Sequence, residues 1–404
     1  MKRSIVLLLF TCVTTSLMAL GGEFAYLYKD SRIMGMGGAN IAVGGYSTSL
    51  FSNPSGLASI QKDEGFVVEV LGLGLTGSNN ILEFTQEVTK LGNSTTDEKL
   101  AMVTKYNGRH FQIDSSNYSS ISKNSDLFVW SAGLLSAMDL NFEAHSNLNG
   151  AAGILDTSSR VYNTLLLGAA KEYKTEAGLV DIGVTVKYIW QKSYEGTFTA
   201  TDLKDLASFT DPRKVFSNSS LSKMIRKDFE KDSSGFGIDL GVNYHPFQNS
   251  ILHPSFGLSM MNMGSMGMDN NYGKQPFTVN IGAAIQPEVS YIDRLVLAVD
   301  YVDIFNANSI RTYTYSADNA ISFTDDTDSD IMKRLRLGAG IGLINSHFFS
   351  TQVNLGMYQS DYTAGLDMTI LVLKLNLATY KEEIGTGSVT IPDRRYMVQL
   401  GIGW

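Results

Sequence analysis

Residues 235–244 read GFGIDLGVNY, and in this stretch every second residue is large and apolar. The alternate positions hold three glycines, Asp239 and Asn243. Successive side chains of a β-strand point to opposite faces, so the pattern predicts a strand with one apolar face and one small or polar face. A soluble β-sandwich also alternates, but its polar face meets water and carries Lys, Glu and Thr. A face of glycine with occasional charge fits a crowded or water-lined lumen, and the apolar face fits lipid.

The same alternation recurs along the chain, for instance in VDIGVTVKYIW (180–190), FTVNIGAAIQ (277–286) and RLRLGAGIGL (334–343). Counting such segments gives about fourteen strands, an even number as in bacterial outer-membrane barrels. We therefore predict an all-β fold, a transmembrane antiparallel β-barrel. The predicted strands lie near 66–75, 127–138, 139–147, 159–171, 179–192, 235–246, 252–263, 276–287, 291–304, 331–343, 348–358, 361–370, 371–381 and 393–404.

The connections between the predicted strands differ in length. The three longest, 76–126, 193–234 and 305–330, follow the first, fifth and ninth strands, and the connections after even strands are short. Outer-membrane barrels have long loops on one side and short turns on the periplasmic side, so this sorting supports a barrel with both chain ends in the periplasm. Apolar residues at helical spacing predict short helices in the outer loops at 79–91, 201–212 and 220–232.

Both ends of the chain carry features of an exported barrel. Residues 1–20 combine a positive start, an apolar run and a small-residue site near Ala19, which predicts a cleavable signal peptide. The single cysteine, Cys12, lies in this segment, so we expect no disulfide in the mature chain. The last strand ends on Trp404, and a terminal aromatic residue resembles the signal that the outer-membrane barrel assembly machinery recognises. These features predict a protein of the Gram-negative outer membrane.

A glycine-rich run, MGMGGANIAVGGYSTSLFSNPSGLA (34–58), precedes the first predicted strand. Glycine-rich loops often bind phosphate, but such loops follow a buried strand, and P-loops contain Gly-Lys-Ser/Thr. No lysine occurs between Lys29 and Lys62, and no apolar strand precedes Gly35. The run is therefore not predicted to bind a nucleotide.

The run resembles the N-terminal signature of the FadL-type barrels, both in its Met-Gly-Met-Gly-Gly-Ala start and in its Asn-Pro-Ser-Gly-Leu-Ala end. This family comprises long-chain fatty-acid and hydrocarbon transporters, with PorV-like and conjugal-transfer TraF-like relatives. The resemblance implies a barrel (63–404) whose lumen holds an N-terminal hatch (21–62). The motif residues of the hatch are Gly35, Gly37, Gly38, Asn53, Pro54 and Gly56.

Close packing explains why a hatch is rich in glycine. A segment inside a narrow barrel brings its backbone near inward side chains, and glycine permits close approach and positive φ. The residue before a proline is held in extended geometry. Asn53 is therefore predicted to mark a fixed bend, with its amide free to bond the barrel wall.

Charged residues at positions predicted to face the lumen are further candidates for a site. Lys187, Asp239, Arg334 and Arg336 are predicted either to set selectivity for ions or head groups, or to pair with one another across the bore. A formal net charge of −8 argues against nucleic acid as a partner, because binding phosphates needs a basic face.

No metal, cofactor or catalytic residue is predicted. The five histidines show no metal-ligand spacing, and no serine is paired with a histidine in the sequence. The methionines within 260–268 are more typical of soft packing than of a copper site. The aspartates within 325–330 lack the glycine and closing glutamate of an EF-hand and are more typical of a solvated loop tip.

Two functions follow as expectations. The first is a channel for passive uptake of hydrophobic or amphipathic small molecules, with outer-membrane lipid and a fatty-acid-like or hydrocarbon ligand as partners. The alternative is a barrel that does not transport and serves as an assembly, secretion or conjugation partner. Neither expectation involves an enzyme.

Overall fold

The computed structural model describes residues 23–62, 65–90, 95–125, 127–144, 153–199, 230–247, 249–315, 321–346, 348–385 and 390–404. Its strands are β1 (Phe66–Ser78), β2 (His110–Asn124), β3 (Val129–Ala144), β4 (Gly153–Thr175), β5 (Gly178–Thr199), β6 (Glu230–Pro246), β7 (Ser255–Gly264), β8 (Thr278–Ile285), β9 (Arg294–Tyr301), β10 (Ser309–Tyr315), β11 (Ile321–Thr327), β12 (Leu335–Asn345), β13 (Phe349–Tyr358), β14 (Asp361–Ile370), β15 (Leu373–Glu383) and β16 (Pro392–Gly403). The helices are α1 (Ser31–Gly35), α2 (Ile81–Lys90) and α3 (Thr96–Lys105).

Within these residues, fourteen strands form a closed antiparallel barrel, as the alternation predicted. Consecutive strands pair with each other, and β1 pairs with β16 to close the sheet. The strands β10 and β11 form a separate hairpin, so β9 pairs with β12. Long connections follow β1, β5 and β9, so the sorting by odd strands holds. We call the end of the barrel that carries these connections the outer end.

Strand β2 corrects the sequence prediction, which left 110–124 in a loop and divided β3 into two strands, 127–138 and 139–147. The two errors cancel, and the total of fourteen is right. The sequence of β2, HFQIDSSNYSSISKN, alternates only weakly because its outward positions include Ser115, Asn117 and Ser119. In β3 the strand continues through 138–139 without a turn.

The outer connections contain both predicted and unpredicted elements. Helix α2 confirms the helix predicted at 79–91, whereas α3 and the β10–β11 hairpin were not predicted. The helix predicted at 201–212 lies outside the described residues. Of the one predicted at 220–232, only the last three residues are described, and they belong to β6. In the described part of the chain, no helix is long and apolar enough to cross a membrane.

Large apolar side chains point outward all around the barrel, and we call this surface the apolar belt. Most inward positions are small or polar; in β5, Thr185, Lys187 and Gln191 are buried. This division is that of a transmembrane barrel. Exposed members of the belt include Leu73, Leu75, Leu134, Leu165, Leu167, Ile182, Val184, Val186, Phe236, Leu240, Phe256, Ile281, Leu297, Leu337, Leu355, Val398 and Leu400.

Candidate functional site

Residues 23–62 run through the bore of the barrel, and we call them the hatch. Helix α1 packs against β13–β16, and the 3-10 turn Pro54–Ser59 packs against β3–β6 on the opposite wall. The Asp30 side chain caps α1 by accepting from the N–H of Ile33 at 3.1 Å. The hatch therefore contacts both sides of the bore.

Two glycines of the motif need the backbone freedom of that residue. Gly37 and Gly38 have φ values of +66° and +79°. A Cβ atom on Gly37 would lie 2.1 Å from the carbonyl oxygen of Leu337. The wall is equally close, because a Cβ on Gly356 would lie 2.5 Å from the Gly37 nitrogen. Glycine on both sides thus permits contact between two backbones.

The other two glycines of the motif have different surroundings. Gly35 packs on Gly365 of β14, and its carbonyl accepts from the Thr363 hydroxyl at 2.7 Å. Gly56 packs within the hatch, and its carbonyl accepts from the N–H of Gly45 at 2.8 Å. Gly35 therefore contacts the wall, and Gly56 holds the hatch together.

Asn53 and Pro54 stand at a bend. Asn53 is extended, with φ −138° and ψ 105°, and its side-chain oxygen caps the 3-10 turn that Pro54 begins. Its Nδ2 donates to the carbonyl of Ile41 and to the side chain of Asn243 in the wall, both at 2.8 Å. A Cβ on Gly241 of β6 would lie 1.9 Å from Asn53 Oδ1. The bend therefore sits directly on a glycine of the wall.

Asp300 of β9 anchors the middle of the hatch, and sequence reasoning missed it. Its Oδ2 accepts from the backbone N–H groups of Asn40 at 2.5 Å and Ile41 at 2.8 Å. The side chain is 1% exposed. A signal existed in the strand LAVDYVDI (297–304), because a carboxylate that alternates with apolar residues faces inward and needs a buried partner.

Ion pairs fix the first residues of the hatch at the outer end of the bore. Glu23 accepts from Arg395 of β16 at 2.6 Å, and Lys29 donates to Glu382 of β15 at 2.9 Å. Glu23 and Lys29 also pair with each other at 3.1 Å. Each of these four side chains is less than 10% exposed. Removing one member would leave a buried charge without its partner.

Arg160 of β4 joins the wall, the hatch and the β7–β8 loop (265–277). Its Nε donates to the Asp139 carboxylate of β3 at 2.8 Å. Its Nη2 donates to the carbonyl of Tyr26 in the hatch at 2.8 Å, and its Nη1 to that of Gly273 in the loop at 3.1 Å. The planar guanidinium presents several donors in a fixed fork, which makes one side chain able to hold three elements.

The β10–β11 hairpin is tied to the same loop by charge. Arg311 donates to Asp325 and to Glu195 of β5, both at 2.9 Å, and Lys274 of the loop also pairs with Asp325. Burial alone would raise the pKa of Asp325, but the hydrogen bonds and charges of Arg311 and Lys274 outweigh it and hold that pKa below its usual value. The hairpin and the loop together cover the outer end of the bore.

Beneath this cover lies an apolar cluster to which the hatch, the loop and the wall all contribute. The rings of Tyr28, Phe51 and Tyr118 pack with centroids 4.9–5.4 Å apart. Because the hatch and the loop supply part of the cluster, a shift of either would expose an apolar surface inside the bore. Its buried members are Leu27, Tyr118, Leu135, Tyr162, Ile189, Met266 and Met268.

A polar cavity of about 280 Å³ lies at the other end of the bore. Its lining includes Asp30 and Arg32 of the hatch and the wall residues Glu69 and Lys374, which pair at 2.6 Å. The Arg32 guanidinium lies 3.6 Å from the ring centroid of Tyr46. The bore thus holds an apolar cluster beneath the ion pairs of its outer end and a separate charged cavity near its inner end.

The four charges predicted to face the lumen do not stand free in the bore. Lys187 and Asp239 pair at 2.8 Å and are both buried. Arg334 pairs instead with Asp303 at 3.3 Å, and the Arg336 guanidinium lies 3.9 Å from the centroid of an aromatic ring of β13. Of the ion pairs that could form among these four side chains, only the one between Lys187 and Asp239 is present.

The remaining candidates fall into ordinary structural places. Met266 and Met268 belong to the apolar cluster, and Asp325 and Asp328 are in ion pairs with basic side chains rather than free at a solvated tip. The described residues include no group of three or more His, Cys, Asp or Glu able to hold a metal ion. Trp404 is 63% exposed, and its backbone pairs with β1.

No protein-family model matches the chain, and no curated protein matches its sequence. Solved structures do match. The toluene transporter TodX of Pseudomonas putida covers 95% of this chain and 99% of its own, at 12% identity and a TM-score of 0.51. The toluene transporter TbuX of Ralstonia pickettii covers 96% and 99%, at 12% identity and a TM-score of 0.52. The chain has the fold of the FadL-type outer-membrane barrels.

A deletion mutant of TodX, described as a monoaromatic hydrocarbon channel, gives a TM-score of 0.55 over 93% of this chain and 98% of its own, also at 12% identity. The FadL-type fold confirms the resemblance seen in residues 34–58. At this identity the likeness concerns the fold, and the function has to be argued from the bore.

Proposed function

We propose that the protein is an outer-membrane channel for passive uptake of hydrophobic or amphipathic small molecules. The closed barrel with its apolar belt supports a position in the outer membrane. The predicted signal peptide at 1–20 agrees with that location. The ligand class includes fatty acids and hydrocarbons such as toluene.

The observation that carries this proposal is the apolar cluster. Apolar side chains inside a largely polar bore offer a hydrophobic molecule a place to leave water. Methionine adapts its shape, so Met266 and Met268 suit ligands of varied outline. In this structure the hatch and the loop fill the cluster themselves, and uptake on this proposal requires the hatch to shift.

Uptake of labelled toluene and labelled fatty acid by cells that lack the protein, with and without complementation, tests the proposal. We expect Leu135→Asn, which puts an amide into the cluster, to lower uptake several-fold per folded barrel. The matched control is Leu134→Asn, because its side chain points outward from the next position of β3. Equal uptake by the two variants would contradict a route through the cluster.

A second candidate is a barrel that acts as an assembly, secretion or conjugation partner and transports nothing. The buried ion pairs of Glu23 and Lys29 favour it, because they hold the hatch firmly in the bore. A deletion strain with unchanged uptake of both probes and a loss of secretion or conjugation would support this candidate over the channel.

A further inference from the structure

Two arginine side chains line the polar cavity at the inner end of the bore, which we call the inner cavity. Arg32 belongs to helix α1 of the hatch, and Arg294 is the first residue of β9 in the wall. Both lie against Tyr46 of the hatch, with their Cζ atoms 3.6 Å and 5.6 Å from the centroid of its ring. Two positive groups on separate elements therefore meet at one point of the cavity.

Most hydrogen-bond donors of these two guanidinium groups are not used within the described part of the chain. Of the described residues, only Thr48 accepts from Arg32, with its hydroxyl 3.4 Å from Nη2. The Nε of Arg32 lies 4.0 Å from Asp30 Oδ1, which is too far for a hydrogen bond. Arg294 donates to the Tyr46 hydroxyl at 2.8 Å and to a nearby side-chain amide oxygen at 3.3 Å. A guanidinium group carries several N–H donors, so both arginines keep donors for a further acceptor.

The carboxylates that line the inner cavity are engaged elsewhere or lie at its edge. Asp30 caps helix α1, and Glu69 accepts from Lys374 at 2.6 Å. Asp367 accepts from a side-chain amide of β13 at 2.6 Å. Asp293 is exposed in the turn before β9. Among the described residues, the two guanidinium groups are therefore left without a hydrogen-bonded carboxylate.

We propose that the inner cavity binds the carboxylate group of an amphipathic ligand between Arg32 and Arg294. The planar fork of a guanidinium group matches the two oxygens of a carboxylate. The lining holds four carboxylates against three basic groups, so a doubly charged anion such as phosphate meets more repulsion than a singly charged carboxylate. The inference rests on the proposed function and narrows its substrates to molecules with a carboxylate at one end.

The size and position of the inner cavity support such a ligand. Its volume of about 280 Å³ is near the lower end of the range for ligand pockets, which begins at about 300 Å³. The apolar cluster can receive the chain of an amphipathic molecule, and the inner cavity its charged end. Because Arg32 moves with the hatch and Arg294 stays in the wall, a shift of the hatch separates the two guanidinium groups and releases the carboxylate.

Calorimetric titration of the purified barrel in mild detergent tests the site, with octanoate as the probe. We expect octanoate to bind the unmodified protein, and Arg32→Gln and Arg294→Gln each to weaken that binding about tenfold or more. The two variants lie in different elements, so a loss shared by both does not arise from misfolding of one of them. The control is Arg109→Gln, which removes an exposed guanidinium at the outer end and should leave octanoate binding unchanged.

Two further probes separate the charge of the ligand from its chain. Octanol has the same chain without the charge, and its binding should respond far less to the two variants. Acetate has the charge without the chain and should bind more weakly than octanoate. Absent octanoate binding, equal octanoate binding by both variants and the unmodified protein, or an equal loss of octanol binding would overturn the site. Acetate that binds as tightly as octanoate would overturn the assignment to an amphipathic ligand.

Uptake separates this inference from the proposed function. In cells that take up both labelled toluene and labelled fatty acid, Arg32→Gln should lower the ratio of fatty-acid uptake to toluene uptake. An unchanged ratio would contradict the carboxylate site and leave the channel standing. If the unmodified protein takes up neither probe, the channel is wrong, and the octanoate titration alone decides the site.

Discussion

At Gly37 the absence of a single methyl group decides whether the hatch fits its wall. The residue has positive φ and lies against the backbone of β12 and β13. Glycine in the sequence indicated close approach, and the structure shows which atoms approach: the Leu337 carbonyl and the Met357 backbone.

We predict that Gly37→Ala destabilises the protein. Positive φ costs a side-chain-bearing residue about 1–3 kcal/mol, and the added Cβ also overlaps the Leu337 carbonyl. Gly267→Ala is the control, because its φ is −73° and a Cβ there meets no atom within 4 Å. Samples heated before a denaturing gel show the temperature at which the fast-migrating folded barrel unfolds. We expect this temperature to fall for Gly37→Ala and to stay unchanged for Gly267→Ala. An unchanged temperature would contradict the close contact.

Single residues also show where sequence reasoning stops. Alternation placed Lys187 and Asp239 on the inward face, and they pair there. It gave no means of finding the partners of Arg334, or the three elements that meet at Arg160, because those contacts join segments far apart in the chain. Spacing within one strand carries no information on such contacts.

At the scale of elements, the wall, the hatch and the β7–β8 loop depend on one another through Arg160. We predict that Arg160→Gln speeds amide hydrogen exchange around Tyr26 and Gly273 by about tenfold or more, which corresponds to about 1.4 kcal/mol. The physical reason is the loss of the two hydrogen bonds from the guanidinium to these carbonyls.

The double variant Asp139→Asn with Arg160→Gln serves as the control for this exchange. It removes the buried carboxylate that the single variant leaves without its cation, so overall stability should partly recover. Exchange around Tyr26 and Gly273 should stay fast, because the two carbonyls still lack their donor. Slow exchange in both variants would show that Arg160 does not hold these elements.

Strand β2 shows why one element escaped prediction. The rule that outward positions are apolar holds for most of the barrel and fails where Asn117 and its flanking serines face outward. Because of this exception, the count of alternating segments did not include β2.

At the scale of the whole molecule, the sequence predicts the barrel and the hatch because both depend on repeating or local features. Strand number, loop sorting and the signature at 34–58 need no knowledge of distant contacts. Predicting how the lining changes along the bore does require knowledge of distant contacts. Its apolar cluster and its charged inner cavity are assembled from the hatch, the wall and the loops together.

The central claim is that hydrophobic molecules pass only when the hatch shifts, and a reversible tether tests it most directly. A Cβ on Gly35 would lie 3.0 Å from that of Asn354 in β13, slightly inside the separation of about 3.5–4.5 Å in disulfides. Gly35→Cys with Asn354→Cys therefore allows the hatch to be bonded to the wall after a small relaxation. The two single cysteine variants are the controls.

Uptake of labelled toluene and fatty acid should be measured in cells carrying the double variant, before and after a reductant is added. We predict little uptake by the double variant while the disulfide is intact, and normal uptake once it is reduced. Uptake by the single variants should not change when the reductant is added. Equal uptake in the oxidised and reduced states would contradict the account.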